Sequence, residues 1–338
     1  MTYKVGVTDY VEEPHAIERE ALGNDWEIVW LNAHEETDFD ADRLADLDAL
    51  LVWHAPITER VAKMLKKCRI VVRYGVGFDE IDVAALEAQG IAFCNTPDYG
   101  TEEVADTTVA MILMHLRRIA EYDYQCRNYT EGWQEHTLAP LERSRDRTLG
   151  VVGVGRIGSA VMRRMRPFGV CLVGYDPNVP SGHEKALDYQ RATSLHSLLS
   201  QADIVTVHCP ADASTTGMID ESFIAAMKPG SILVNTARGA LINSLDVIED
   251  GLRSGRLLAA ALDVLPSEPP TDHPLIDAWR RAEPWLRGRF TITPHTAYYS
   301  ERAWREMRYK AAETARLFFD AGIERNRIRG EDNRDRIL

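Results

Sequence analysis

Short apolar runs alternate with amphipathic stretches through the first hundred residues. The runs at 5–7, 28–30, 50–53, 70–72 and 91–93 are strand candidates, and alternation of β with α predicts a parallel sheet. The longest helical pattern covers 101–127. Thr101 is expected to cap it, with Glu102 and Glu103 in the first turn, where acidic groups favour the helix dipole. A charged stretch, 142–147, leads into the apolar run 149–153, and a second series begins there. Further strands are expected at 171–175, 204–208, 232–236, 258–262 and 290–293, with helical patterns between most of them. This predicts a second parallel sheet. Pro266, Pro269, Pro270 and Pro274 mark a rigid loop, and the last long helix is expected to start near Ser300.

A chain of 338 residues suits two domains. Hydrophobic residues make up 45% and charged residues 27%, and no apolar run approaches the roughly 18 residues of a membrane span. A soluble protein is expected. The N-terminus reads as a strand followed by acidic residues, where a signal peptide needs an apolar core. Cys68, Cys94, Cys126, Cys171 and Cys209 are odd in number and form no C-x-x-C pair, so reduced thiols in a cytoplasmic protein are expected, with no metal site. The net charge of -13 disfavours nucleic acid or an anionic membrane as the main partner. An anionic substrate then requires a local arginine.

Gly153-Val154-Gly155-Arg156-Ile157-Gly158 follows an apolar strand and opens a helical pattern, and Asp176 stands 18 residues after Gly158 at the end of the next strand. This is the full setting of a dinucleotide site. The first glycine permits the turn, the second lets backbone approach the pyrophosphate, and the third lets helix and strand pack. N–H groups of the first helical turn, at Arg156 and Ile157, then face phosphate. Asp176 can accept the ribose hydroxyls and would repel a 2'-phosphate, so NAD is preferred to NADP. His208-Cys209-Pro210 also ends a strand and is expected to line the same crevice through backbone and shape, with no nucleophilic role for Cys209.

Arg238, Asp263, Glu268 and His295 each follow a predicted strand of the second series, at the carboxyl ends where open α/β sheets bind ligands. Singly, each has an ordinary structural reading, as a core histidine or an ion pair. Together they suit the oxidation of a 2-hydroxy acid. His295 can take the hydroxyl proton as hydride leaves, since histidine titrates nearest the operating pH. Glu268 can hold the other ring nitrogen, fixing the tautomer and favouring the protonated ring. Arg238 offers a planar fork to the substrate carboxylate and the neighbouring carbonyl.

With these motifs, the chain resembles the D-isomer-specific 2-hydroxyacid dehydrogenases over nearly its whole length. Segments 73–82, 153–176, 235–239, 261–269 and 293–295 carry the resemblance. It implies Arg238, Glu268 and His295 as the catalytic set, with Thr236, Ala237 and His295 beside the cofactor and Asp263 at the nicotinamide carboxamide. It also implies that N–H groups at Val76 and Gly77 help hold the substrate carboxylate. Segments 74–78, 104–108, 195–199 and 298–301 look most like the C-terminal-binding-protein (CtBP) group, although Tyr298 replaces the tryptophan of its corepressors. The implied fold is α/β: two doubly wound parallel-sheet domains, a Rossmann NAD-binding domain at 99–296 and a flavodoxin-like split substrate domain at 1–98 and 297–338. The helix 101–127 would serve a homodimer interface.

A metabolic oxidoreductase is therefore expected. The alternatives are an NAD(H)-gated binding scaffold of the CtBP kind and a catalytically idle NAD-binding subunit. Trp53, His54, Arg73, Tyr74 and Tyr298 are expected around the substrate beyond its reacting carbon. Aromatic walls suit an apolar or thioether side chain, whereas His54 with Arg73 suits a second polar or anionic group, the reading preferred here. Arg73 paired with Asp79 or Glu80 is the structural alternative.

Overall fold

Short apolar runs buried on both faces are the signature of parallel strands, and runs such as Ala49–Val52 and Ile204–Val207 form the centres of the two sheets. A computed structural model describes residues 2–11, 14–128, 133–138 and 141–330. The chain divides into two units, one running to Gly100 and resuming at Tyr299, the other spanning Thr101–Tyr298. The expected end of the split domain, 331–338, lies outside the described residues.

In the first unit, β1 (Tyr3–Val7), β2 (Trp26–Trp30), β3 (Ala49–Val52), β4 (Ile70–Arg73) and β5 (Ala92–Cys94) are parallel. Counted across the sheet the order is 2-1-3-4-5, the flavodoxin-like winding. Alternate residues feed two cores. Leu50 and Val52 pack with Leu44, Leu65 and Phe93. Ala49 and Leu51 pack with Met307, Ala311 and Ala315 of the last long helix, Glu301–Ala321, which is capped by the Ser300 hydroxyl. Each fully buried leucine contributes about 1.5–3 kcal/mol. The sheet is not wholly parallel, as it was expected to be. The two-residue strand Arg327–Ile328 pairs antiparallel with β5 and closes that edge.

Among the described residues the second unit holds seven parallel strands. We number them β6 (Thr148–Val152), β7 (Cys171–Tyr175), β8 (Gln190–Arg191), β9 (Ile204–Val207), β10 (Ser231–Asn235), β11 (Leu257–Leu262) and β12 (Phe290–Ile292). Their order, β12-β11-β10-β9-β6-β7-β8, is the Rossmann winding with one added edge strand. Ile232 and Val234 of β10 enter one core, and Leu233 enters the other.

The long helix expected at 101–127 is two helices, Thr101–Leu116 and Ile119–Asn128. Arg118 stands between them with φ +53°, and its guanidinium grips Glu121 at 2.7 and 2.6 Å and the Leu138 carbonyl at 2.6 Å. A left-handed residue interrupts the helix ladder whatever its side chain, so no glycine or proline marks the break. Thr101 is itself the first helical residue. Among the described residues no helix is long and apolar enough to cross a membrane.

Candidate active site

The glycine loop leaves β6 through Gly153, whose φ of +86° suits glycine. A Cβ there would lie 2.7 Å from backbone atoms of His208 and Cys209, and one on Gly158 would lie 2.1 Å from the Gly153 carbonyl oxygen. The loop, the end of β9 and the helix Arg156–Met165 are thus in backbone contact. Gly155 differs: a Cβ there would meet nothing within 4 Å. The helix begins at this opening with no side-chain cap and no acidic residue in its first turn. Free N–H groups beside open space fit a pyrophosphate.

Asp176 follows β7, and its two carboxylate oxygens accept from the N–H groups of Val154 and Asn178, each at 2.9 Å. No cation is adjacent to this aspartate in sequence, and Arg191 of β8, the one residue expected to be able to fold back and weaken the preference for NAD, does reach the same loop. The Arg191 guanidinium donates to the carbonyls of Asp176 at 3.2 Å and Val179 at 2.9 Å and faces Glu184 at 3.6 Å.

After β9, His208 Nε2 contacts the Thr206 hydroxyl at 3.0 Å. Burial pushes this imidazole down to about 3, so the ring is neutral. Burial also pushes the Cys209 thiol up to about 12, which suits its expected role as lining.

Beyond β10 the loop is shaped by Asn235. Its Oδ1 accepts from the Ala237 N–H at 3.0 Å, and its Nδ2 donates to the Arg238 carbonyl at 2.9 Å. Thr236 is buried, with its hydroxyl 2.8 Å from that of Thr108. A Cβ on Gly239 would fall 1.8 Å from the Leu265 carbonyl oxygen, so the Arg238 loop lies directly against the loop that carries Glu268. Glu268 Oε1 accepts from the Leu265 N–H at 2.8 Å, and Oε2 meets His295 Nδ1 at 2.7 Å. Burial pushes the Glu268 carboxyl up, but the hydrogen bond and charge of His295, the Leu265 N–H and the Arg238 charge outweigh it and hold the carboxyl below its ordinary value. The three expected catalytic residues therefore come together. An ionised Glu268 makes Nδ1 the donor and leaves His295 Nε2 to exchange a proton. The His295 side chain is 41% exposed.

Asp263 does more than its strand-end position suggests. Its carboxylate is buried and accepts from the Thr293 hydroxyl at 2.5 Å and from the N–H groups of Thr296 at 2.9 Å and Ala297 at 3.0 Å. Its carbonyl accepts from the His295 N–H at 2.8 Å. These bonds bracket His295, which sits at φ +54°. The sequence signal was only an aspartate after a strand.

Of the residues expected around the substrate, His54 donates its N–H to Asp9 at 2.7 Å, and its ring stacks on Trp53 at 5.2 Å. Arg73 turns back to hydrogen-bond the Tyr74 carbonyl. Val76 is exposed, and its carbonyl accepts from Asn95 Nδ2 at 2.8 Å; Gly77 and Tyr298 are half-buried. Tyr74 is different from expectation. It is fully buried, and its hydroxyl donates to Glu18 at 3.2 Å. Arg308 clamps that same carboxylate at 2.7 and 2.5 Å. The Tyr74 ring is core. Asp9 was not singled out in sequence, although it follows the end of β1 and its buried carboxylate accepts from the Trp53 and His54 N–H groups. Among the described residues, no group of three or more His, Cys, Asp or Glu side chains is placed to hold a metal ion.

A family model described as "D-isomer specific 2-hydroxyacid dehydrogenase, NAD binding domain" matches residues 109–297. The chain is 35% identical to a D-3-phosphoglycerate dehydrogenase of Mycobacterium leprae (strain TN) over 298 residues, 88% of this chain and 54% of that protein. It thus spans about half the length of the curated relatives it matches. Among solved structures it is similar to a D-lactate dehydrogenase from Aquifex aeolicus complexed with NAD and lactic acid. That likeness has a TM-score of 0.83 and 26% identity, and covers 96% of this chain and 98% of that one. It is also similar to an NADPH-dependent glyoxylate/hydroxypyruvate reductase from Sinorhizobium meliloti in complex with NADP and malonate. Here the TM-score is 0.82, the identity 25% and the coverage 98% of both chains.

Proposed function

The chain belongs to the D-isomer specific 2-hydroxyacid dehydrogenase family, and from that premise we propose that it is an NAD-dependent D-2-hydroxyacid dehydrogenase, able to reduce the corresponding 2-oxo acid. One observation carries the reading. The Glu268–His295 pair, 2.7 Å apart, lies beside the Arg238 loop in the unit that also holds an open, uncapped glycine loop.

A nicotinamide dinucleotide would supply or accept the hydride. N–H groups of the Gly155–Gly158 turn would hold its pyrophosphate, and the Asp176 carboxylate its ribose hydroxyls. His208, Cys209, Pro210, Thr236, Ala237 and Asp263 would line the rest. The same Asp176 charge favours NAD over NADP, because a 2'-phosphate would meet it. The Arg191 guanidinium, which bonds loop carbonyls and faces Glu184, has its charge directed elsewhere.

Arg238 binds the substrate carboxylate and polarises the C2 oxygen. In oxidation, His295 Nε2 takes the C2 hydroxyl proton. In reduction it returns a proton to the carbonyl oxygen. Glu268 remains ionised and stabilises the charged ring in both directions. A cytoplasmic location, a homodimer formed through the segment 101–127 and membership of the CtBP-like group belong to the same proposal. They are supported by the separate thiols and by the motifs that carry the resemblance.

The purified protein should oxidise NADH with at least one small 2-oxo acid and yield the D-hydroxy acid. A broad panel that gives no oxidation above background contradicts the proposal and leaves the NAD(H)-gated scaffold.

A further inference from the structure

Segment 104–108 carries part of the family resemblance, yet none of its residues enters the proposed chemistry. It lies in the helix Thr101–Leu116, whose Ala105 and Ile112 share a core with Val234 of β10 and Ala261 of β11. The helix is therefore packed against the strands whose carboxyl ends carry the site. Two neighbouring hydroxyls leave it. Thr107 Oγ1 donates to the Ala297 carbonyl at 3.2 Å, two residues beyond His295, and Thr108 Oγ1 lies 2.8 Å from Thr236 Oγ1, two residues before Arg238. β10 and β12 are separated by β11, a spacing of about 10 Å. Neighbouring helix residues point about 100° apart, so an adjacent pair reaches two loops that one side chain cannot.

The buried pair of hydroxyls fixes its own protons. Thr108 and Thr236 are both buried, and the Thr108 hydroxyl also lies 2.7 Å from the Val104 carbonyl, which can only accept. Its one proton goes to that carbonyl, as a helical threonine bonds back by four residues. Thr236 then supplies the proton between the two hydroxyls. Back-bonding alone satisfies the Thr108 donor, so the second contact serves Thr236, a buried hydroxyl that needs a partner. On the other loop Ala297 is held by both of its backbone groups, the N–H by Asp263 at 3.0 Å and the carbonyl by Thr107. His295 stands two residues earlier at φ +54°, a conformation that persists where neighbouring contacts over-determine it.

We infer that Thr107 and Thr108 are positioning residues of the proposed active site: from one helical turn they hold the His295 loop and the Arg238 loop in fixed relation. The inference rests on the proposed dehydrogenase activity and adds two residues that act through the loops rather than on the substrate. Proton exchange from one loop and carboxylate binding from the other require that the two keep their spacing, and a misplacement of about 1 Å can cost about 10²-fold in rate.

The test compares Thr107→Val, Thr107→Ser, Thr108→Val and Thr108→Ser with wild type. Tm, the NADH dissociation constant, and kcat and KM are measured with NADH and whichever of pyruvate, glyoxylate and phenylpyruvate wild type reduces fastest. Valine keeps the shape and loses the hydroxyl, whereas serine keeps the hydroxyl and loses a methyl. Each valine variant should lower kcat about tenfold, with the NADH dissociation constant within about threefold of wild type. Each serine variant should keep kcat within about twofold, even where its Tm falls further than that of its valine counterpart. A kcat that follows Tm across the four variants, serine variants as slow as their valine counterparts, or valine variants at wild-type kcat overturn this inference and leave the dehydrogenase reading standing. If wild type reduces none of these acids, nor any other 2-oxo acid, both readings fall.

Discussion

Glu268 and His295, 27 residues apart in the chain, meet at 2.7 Å through Oε2 and Nδ1, while the other oxygen of the same carboxylate is fixed at 2.8 Å by the Leu265 N–H. The ring is therefore oriented by a group that is itself anchored to backbone. Replacing Glu268 by Gln keeps a hydrogen-bonding side chain and removes the charge. The ring loses the charge that steadies it in the reaction, so kcat/KM for 2-oxo acid reduction should fall by about tenfold or more. Steady-state kinetics check this, and an unchanged kcat/KM contradicts the pairing.

Asp176 predicts cofactor choice. Wild type should favour NADH over NADPH by roughly tenfold or more in kcat/KM, about 1.4 kcal/mol for each factor of ten. Asp176→Ala should narrow the ratio. It should also slow both reactions, because the Val154 and Asn178 N–H groups lose their acceptor. Equal use of the two cofactors by wild type contradicts the assignment.

His115, in the helix Thr101–Leu116, predicts acid sensitivity. Burial pushes it from 6.5 down to about 4 against the smaller opposing effect of the Gly288 carbonyl, and its Nε2 has no hydrogen-bond partner among the described residues. Above pH 6.5 the ring is neutral folded or unfolded. As pH falls from 6.5 to 4, only the unfolded chain gains the proton, so stability is lost across that window. In urea melts at pH 7 and pH 5, His115→Gln should lose less stability than wild type, by about 1–2 kcal/mol. Equal losses contradict the burial argument.

The central strands were legible because both of their faces are buried. Continuous apolar runs such as Leu50-Leu51-Val52, set between helical patterns, suit the inner strands of a parallel sheet covered on both faces. The two-residue strands Gln190–Arg191 and Arg327–Ile328 are too short to carry any period. The break at Arg118 was silent because a left-handed arginine looks like any other arginine in sequence. The grouping of Arg238, Glu268 and His295, the trio proposed to be catalytic, was legible since each member follows a strand of one series, and the winding of the sheet brings those ends together. Strand ends do not reveal which way a ring turns, so Tyr74 was expected at a ligand and lies in the core. The grip of Asp263 on Thr293, Thr296 and Ala297 was hidden for a related reason: two of its three donors are backbone N–H groups, which carry no residue signature.

The most direct test of the central claim is His295→Asn, with turnover of a 2-oxo acid and the NADH dissociation constant measured on the same preparation. Turnover should fall by roughly 10²-fold or more, the scale of a lost general acid, with NADH binding changed by no more than about threefold, under 1 kcal/mol. Near-wild-type turnover would contradict the account.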